Sequence, residues 1–183
     1  MADGLFYHDT RSPLIISDIT AVTLSTTAKA LYPAANFPTL GANYWTPGKK
    51  MRIELCGRVT TGTTPGNGTW AVYWGTGADA NGTLLCTSKA NALIASQTNL
   101  TWRAQIDVHC RAVGASTSGS LFVSGWFLFD EAVMAAKQLG PASAPAAVGV
   151  DTTASNIVSV QYLRSGSTAE TMQVHDIIVS SLS

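Results

Sequence analysis

Charge is what this chain is short of. Only 12% of its 183 residues are Asp, Glu, Lys or Arg, about half of the ~25% usual for a soluble domain. Eleven basic residues balance eleven acidic ones, so neither sign is in excess. A protein whose main partner is nucleic acid needs a basic footprint for the phosphates. A membrane-surface protein needs a polybasic patch. The sequence supplies neither, so no nucleic-acid partner and no membrane partner is expected. Long hydrophobic runs are missing as well. No stretch approaches the roughly 18 consecutive apolar residues of a membrane span. Met1 to Asp9 has neither the basic nor the apolar segment of a secretory signal. The three cysteines, Cys56, Cys86 and Cys110, are an odd number without metal-ligand spacing, each inside an apolar β-like run. They read as reduced, buried thiols. Asn67, Asn81 and Asn99 open glycosylation sequons, which carry no weight without a secretory signal. Asn67-Gly68 and Asn81-Gly82 read instead as turns.

Apolar and small polar residues fill the space that charge leaves. The chain is 46% hydrophobic, with a mean hydropathy of +0.17. Its polar coat must come from Ser, Thr, Asn, Gln and Gly. Such a surface suits a protein packed against copies of itself or against a larger assembly. At this length one domain is expected. Residues 1–13 lack any period and read as an N-terminal arm, and residues 14–183 as a single β-domain.

The period along that domain is two, not 3.6. In Lys50 to Thr60, Met51, Ile53, Leu55 and Val59 share one face, and Arg52, Glu54, Cys56 and Arg58 the other. Thr69 to Gly75 puts Trp70, Val72 and Trp74 on one side, which is expected to be core. Leu100 to Ala112 alternates Trp102, Ala104, Ile106, Val108 and Cys110 with Arg103, Gln105, Asp107, His109 and Arg111. Ser120 to Asp130 is apolar on both faces: Leu121, Val123, Phe127 and Phe129 against Phe122, Trp126 and Leu128. A strand of that kind is buried on both sides. In a two-layer sandwich its second face must meet something outside, such as a neighbouring subunit. Further strands are expected over Leu14–Ser17, Thr20–Thr27, Thr83–Ser88, Ala146–Val150, Asn156–Arg164 and Glu170–Ser180, with a loop at Leu31–Pro38. Glu131–Leu139 is the one segment with helical propensity, although a strand-to-loop passage fits it equally. About eight antiparallel strands without a βαβ rhythm make an all-β fold, a jelly-roll β-sandwich.

Catalytic constellations are absent from the sequence. Asp107 and His109 share a strand face and could together touch a metal. A zinc site needs three or four ligands, and Arg103 and Arg111 on the same face oppose a cation. A cross-strand charge network or subunit contact is the expected role. His175 and Asp176 should point to opposite faces of a strand. Asp79-Ala80-Asn81-Gly82 resembles a fragment of a calcium loop without its remaining acidic ligands and reads as a turn. No Gly-x-Ser-x-Gly elbow is present. No catalytic residue, cofactor or metal is expected, and the chain is not expected to be an enzyme. Tyr7, Tyr44 and Trp45, beside loops, are the aromatics expected to make exposed contacts.

Three stretches carry a resemblance: Gly41-Ala42-Asn43-Tyr44-Trp45-Thr46-Pro47-Gly48-Lys49-Lys50-Met51-Arg52-Ile53, Thr64-Pro65-Gly66-Asn67-Gly68-Thr69-Trp70-Ala71-Val72-Tyr73-Trp74-Gly75, and Ser165 to Asp176. Together with the strands between them, they resemble the small jelly-roll virion proteins of tailed bacteriophages. The resemblance covers roughly Thr20 to Ser180. It implies a head decoration, or cement, protein: a homotrimer on the outer surface of the capsid, bound to the major capsid protein and made in the host cytoplasm. The alternative it implies is a tail or fibre-associated jelly roll that contacts a host receptor or glycan. In the first case Phe122, Trp126 and Leu128 fit a subunit seam, and the arm bearing Tyr7 reaches a neighbour.

Overall fold

A computed structural model describes residues 12–15, 18–37, 39–129, 136–140 and 146–182. Their architecture is two antiparallel sheets packed face to face. Seven strands are long: β5 (Lys50–Thr60), β6 (Asn67–Gly75), β7 (Thr83–Thr87), β9 (Leu100–Ala112), β10 (Gly119–Phe129), β13 (Asn156–Arg164) and β14 (Thr171–Leu182). Seven are short: β1 (Ser12–Ile15), β2 (Val22–Thr23), β3 (Lys29–Ala30), β4 (Thr39–Leu40), β8 (Asn91–Ala92), β11 (Lys137–Leu139) and β12 (Val148–Val150). The larger sheet runs β1-β14-β5-β9-β10-β11, with β2 on β14 and β12 on β10. The smaller runs β3-β13-β6-β7, with β4 on β13 and β8 on β6.

The pairing is nested. β5 pairs with β14 and β6 with β13, β7 approaches β12, and β9 and β10 form the innermost hairpin. A long hairpin rolled up in this way is a jelly roll. Alternation decides which side chains meet between the layers. Trp70 and Tyr162 from the smaller sheet meet Trp102 and Phe127 from the larger. Trp70 lies 5.2 Å from Trp102, 5.1 Å from Tyr162 and 5.7 Å from Phe127, ring centre to ring centre. Offset and edge-to-face pairs of this kind add about 0.5–1.5 kcal/mol each beyond the area they bury. Trp70 and Trp74 are core, as their alternation requires.

Several local expectations are corrected. Of the two readings of Glu131–Leu139, helix or strand-to-loop passage, Lys137–Leu139 follows the second: it is strand β11, antiparallel to β10 with Gly125 opposite Leu139. The open hydrogen-bonding edge of β10 outweighs the weak helical preference of that stretch. Residues 131–135 of the same segment lie outside the described residues. Between Thr20 and Thr27 only Val22–Thr23 is a strand. Asn67-Gly68 opens β6 rather than forming a turn, with Gly66 at φ +69 taking the bend before it. The expected loop at 31–38 holds a short 3-10 turn, Ala34–Asn36. Of the arm, residues 1–11 lie outside the described residues, and Ser12–Ile15 pairs with β14.

The turn from β13 to β14 is tied down by one buried ion pair. The Glu170 side chain has no exposed surface, and the Arg164 side chain beside it is 12% exposed. Arg164 also donates to the carbonyl of Leu24 at 3.2 Å and to that of Gly166, and Thr168 donates to Glu170. A charge so buried persists only when paired. Here the pair joins the 18–25 segment to the start of β14, where the amide of Leu24 donates to the carbonyl of Glu170.

Candidate functional site

The two outer faces of the sandwich differ in charge. On the larger sheet, alternation sends Lys50, Arg52, Glu54 and Arg58 outward from β5 and Arg103, Asp107 and Arg111 outward from β9. Asp176 joins them from β14. Eight of the chain's charged side chains, out of eleven basic and eleven acidic, therefore share one face. On the smaller sheet the outward positions of β6 and β13 are Thr69, Ala71, Tyr73, Ile157, Ser159, Gln161 and Leu163, without a charge. Leu84 on the neighbouring β7 is 44% exposed. Part of this face is covered by the 76–82 loop. The Gln161 carboxamide accepts from the Ala80 amide at 2.7 Å and donates to the Ala78 carbonyl at 2.9 Å. Asp79 fastens the loop's edge, accepting from Lys29 Nζ and from the Ala30 amide, each at 2.7 Å. The calcium-loop fragment is thus a latched turn.

On the charged face, register brings two rows of side chains together. Asp176, Cys56, Arg103 and Leu128 lie across one row, and Ile178, Glu54, Gln105 and Trp126 across the next. Between them runs a shallow cleft of ≈ 250 Å³. The bulge at His175 makes this possible. β14 slips one residue between Val174 and Asp176, so Asp176 faces the cleft while His175 turns to hydrogen-bond the Asp18 carboxylate. Cys56 is half-buried in the cleft and not enclosed like Cys86 and Cys110, which corrects the expectation of three buried thiols. Burial, reinforced by Asp176, pushes the Cys56 thiol above its ordinary range, so it stays protonated. Burial alone pushes the Cys86 thiol up to about 11.

Asp107 and His109 turn to different partners. Arg52 holds Asp107 with two hydrogen bonds, at 2.7 and 3.0 Å. His109 packs edge-on to Phe122 and lies 3.4 Å from Ser124 Oγ. Burial, then the charge of Lys50, pushes the His109 imidazole below its ordinary value, leaving it neutral at pH 7. Among the described residues no three His, Cys, Asp or Glu side chains are grouped to hold a metal, and no helix is long and apolar enough to cross a membrane.

The expected contact residues divide. Trp126 is 36% exposed at the cleft. Phe122 and Leu128 are half-buried on the same face, where the Arg111 guanidinium lies 4.9 Å from the centre of the Phe122 ring. The outward row of β10 is therefore interleaved with charge and not an unbroken apolar strip. Tyr44 is half-buried, with Lys49 Nζ 3.5 Å from its ring centre. Trp45 is not an exposed contact: it is 3% exposed. The 41–49 loop folds back and seats it 6.4 Å from Trp74, closing the end of the core. Tyr7 lies outside the described residues.

No family model and no curated protein matches this chain. Among solved structures, a mutant of the alginate lyase Aly36B in complex with an alginate trisaccharide is similar over 92% of this chain and 100% of that chain, at 9% identity and a TM-score of 0.34. That likeness is too loose to bear on activity.

Proposed function

We propose that this chain is a structural protein of a tailed-phage virion. It is a decoration, or cement, protein that binds the outer surface of the capsid lattice as a homotrimer and catalyses nothing. The observation that supports this reading is the division of charge between the two outer faces. Burying a charge without a partner is unfavourable, so the face of the smaller sheet, whose outward β6 and β13 positions are uncharged and whose edge charges Lys29 and Asp79 are paired with each other, is the one that can meet the major capsid protein at low desolvation cost. Tyr73, Leu84, Ile157 and Leu163 supply its apolar contacts. The charged face of the larger sheet then points to solvent, where it keeps the particle dispersed.

The test is the copy number of this protein per purified virion relative to the major capsid protein, by quantitative mass spectrometry. A ratio of the same order is expected. Absence from the particle would overturn the reading, and a few copies would place the chain in the tail. Tyr73→Arg should remove it from particles without lowering its melting temperature. The second reading, a tail or fibre jelly roll that contacts a receptor, is favoured by one observation: the cleft beside Trp126 opens on the charged face.

A further inference from the structure

We infer that the cleft on the outer face of the larger sheet is a binding site for a neutral saccharide, with Trp126 as its stacking platform. The inference goes beyond the particle reading and does not depend on it. The chain has five tryptophans. Trp45, Trp70, Trp74 and Trp102 are all buried, between 0% and 4% exposed, and Trp126 alone is presented to solvent, at 36%. The other large apolar side chains of this face, Phe122, Leu128 and Ile178, are half-buried, and the Trp126 indole is the one left open beside charged and amide groups. It is well placed as a surface for the C–H side of a sugar ring, whose slightly positive hydrogens favour the negative face of the π-system.

The groups around it complete the chemistry. Glu54 and Gln105 share its row, and Asp176 and Arg103 line the next. Carboxylates accept, a guanidinium donates, and a carboxamide does both, which is the mixed set that a ring of hydroxyls requires. Neighbouring strands are about 4.8 Å apart, so the four strands from Ile178 to Trp126 span roughly 14 Å, the length of about two or three sugar rings. The charge inside the cleft sets the ligand class. Two carboxylates face one guanidinium, so a uronate or a phosphate would meet Glu54 and Asp176. Of the two arginines beyond them, Arg52 is engaged by Asp107, and Arg58, bonded only to the neutral Thr101 hydroxyl and Asn99 carbonyl, keeps its charge and at most brings the cleft to neutrality. A neutral glycan meets no such repulsion.

Because four of the five indoles are enclosed, a ligand seated here changes the fluorescence of Trp126 and leaves the others as a constant background. The experiment titrates the full chain with neutral gluco-, manno- and galacto-configured trisaccharides and with a uronate trisaccharide, reading intrinsic emission and its quenching by acrylamide. The expected result is a saturable blue shift, with reduced quenching, for at least one neutral probe. The same probe should slow maleimide labelling of Cys56. The shift should vanish in Trp126→Ala and weaken roughly tenfold or more in Glu54→Gln, the loss of one charged hydrogen bond, with both variants melting as the parent does. No saturable response from any neutral probe would overturn the inference, as would a response that survives in Trp126→Ala or tighter binding of the uronate. A failed titration beside a normal virion copy number would remove the saccharide and leave the decoration reading standing.

Discussion

Arg164→Met tests how the rolled sheets are closed. In the parent, Glu170 is fully enclosed and its carboxylate faces the Arg164 guanidinium. The substitution keeps the length and most of the volume of the side chain. It deletes the positive charge and the hydrogen bonds to Leu24 and Gly166. Removing one partner of a buried pair leaves the other charge uncompensated and typically costs about 3–5 kcal/mol. That is a large share of the ~5–15 kcal/mol by which a domain is stable. For a chain of this size each kcal/mol moves the melting temperature by about 2–4 °C, so the variant should melt roughly 6–20 °C below the parent. Urea unfolding monitored by circular dichroism should give the same loss as a lower midpoint at unchanged slope. The double variant Arg164→Met/Glu170→Leu removes the stranded charge. It should recover to within about 1 kcal/mol of the parent or exceed it, since apolar replacements of buried pairs are often neutral or stabilising. A single variant within about 1 kcal/mol of the parent, or a double variant less stable than the single, would refute the argument.

Three further outcomes follow from the described contacts. Gly57→Ala should lower stability by about 2 kcal/mol or more, read as a thermal shift, because a Cβ there would run into the carbonyl of Gln173 and the ring of Trp102. Burial pushes the Asp79 carboxyl up, but the hydrogen bonds from Lys29 and Ala30 outweigh it and hold the group below its ordinary range. A depressed carboxylate contributes stability above its unfolded value of about 3.9 and loses it as pH falls through the folded value. The protection of the 76–82 amides from hydrogen exchange, corrected for the intrinsic pH dependence of the exchange itself, should therefore fall below about pH 4, and in Asp79→Asn it should be low at every pH. Under native conditions a maleimide should label Cys56 alone and slowly, with Cys86 and Cys110 reacting only in denaturant. Equal labelling of all three would contradict their placement.

Long strands were legible where one face is buried and the other is not. β5 and β9 follow their alternation residue by residue, because a one-residue slip would send every core side chain to solvent. Asn156–Arg164 is also a strand as expected, although its outward Ser159 and Gln161 are themselves buried beneath the 76–82 loop. Short edge strands were not. β3, β4 and β8 hold two residues each, too few to show a period, and they exist because a neighbour offers an edge. The candidate site was hidden for a related reason. Its residues come from β14, β5, β9 and β10, and only cross-strand register brings them together. Alternation did place Trp126 on the outward side of β10, but no local signal said that Glu54 and Gln105 would lie in its row or that a bulge would turn Asp176 toward it. Trp45 shows the opposite failure. Its neighbours Pro47 and Gly48 mark a loop, and loops suggest exposure, yet the end of a sandwich must be plugged and this indole is the plug.

The nested pairing sets the order in which the molecule can form. β14 is synthesised after every other described strand, yet it lies inside the larger sheet, between β1 and β5, with Leu182 opposite Lys50. Until it is available, β5 has one open edge and β1 has no partner in the sheet. Closing so large a loop must precede the contacts that reward it, which places the fold among slow, non-local folders with times of about milliseconds to seconds. The pairings local in sequence, β9 with β10, β6 with β7 and β10 with β11, can form early. During synthesis the chain therefore exposes the long unpaired backbone edge of β5 beside its apolar inner face, and a cell that makes it in quantity must keep those edges apart until β14 is inserted.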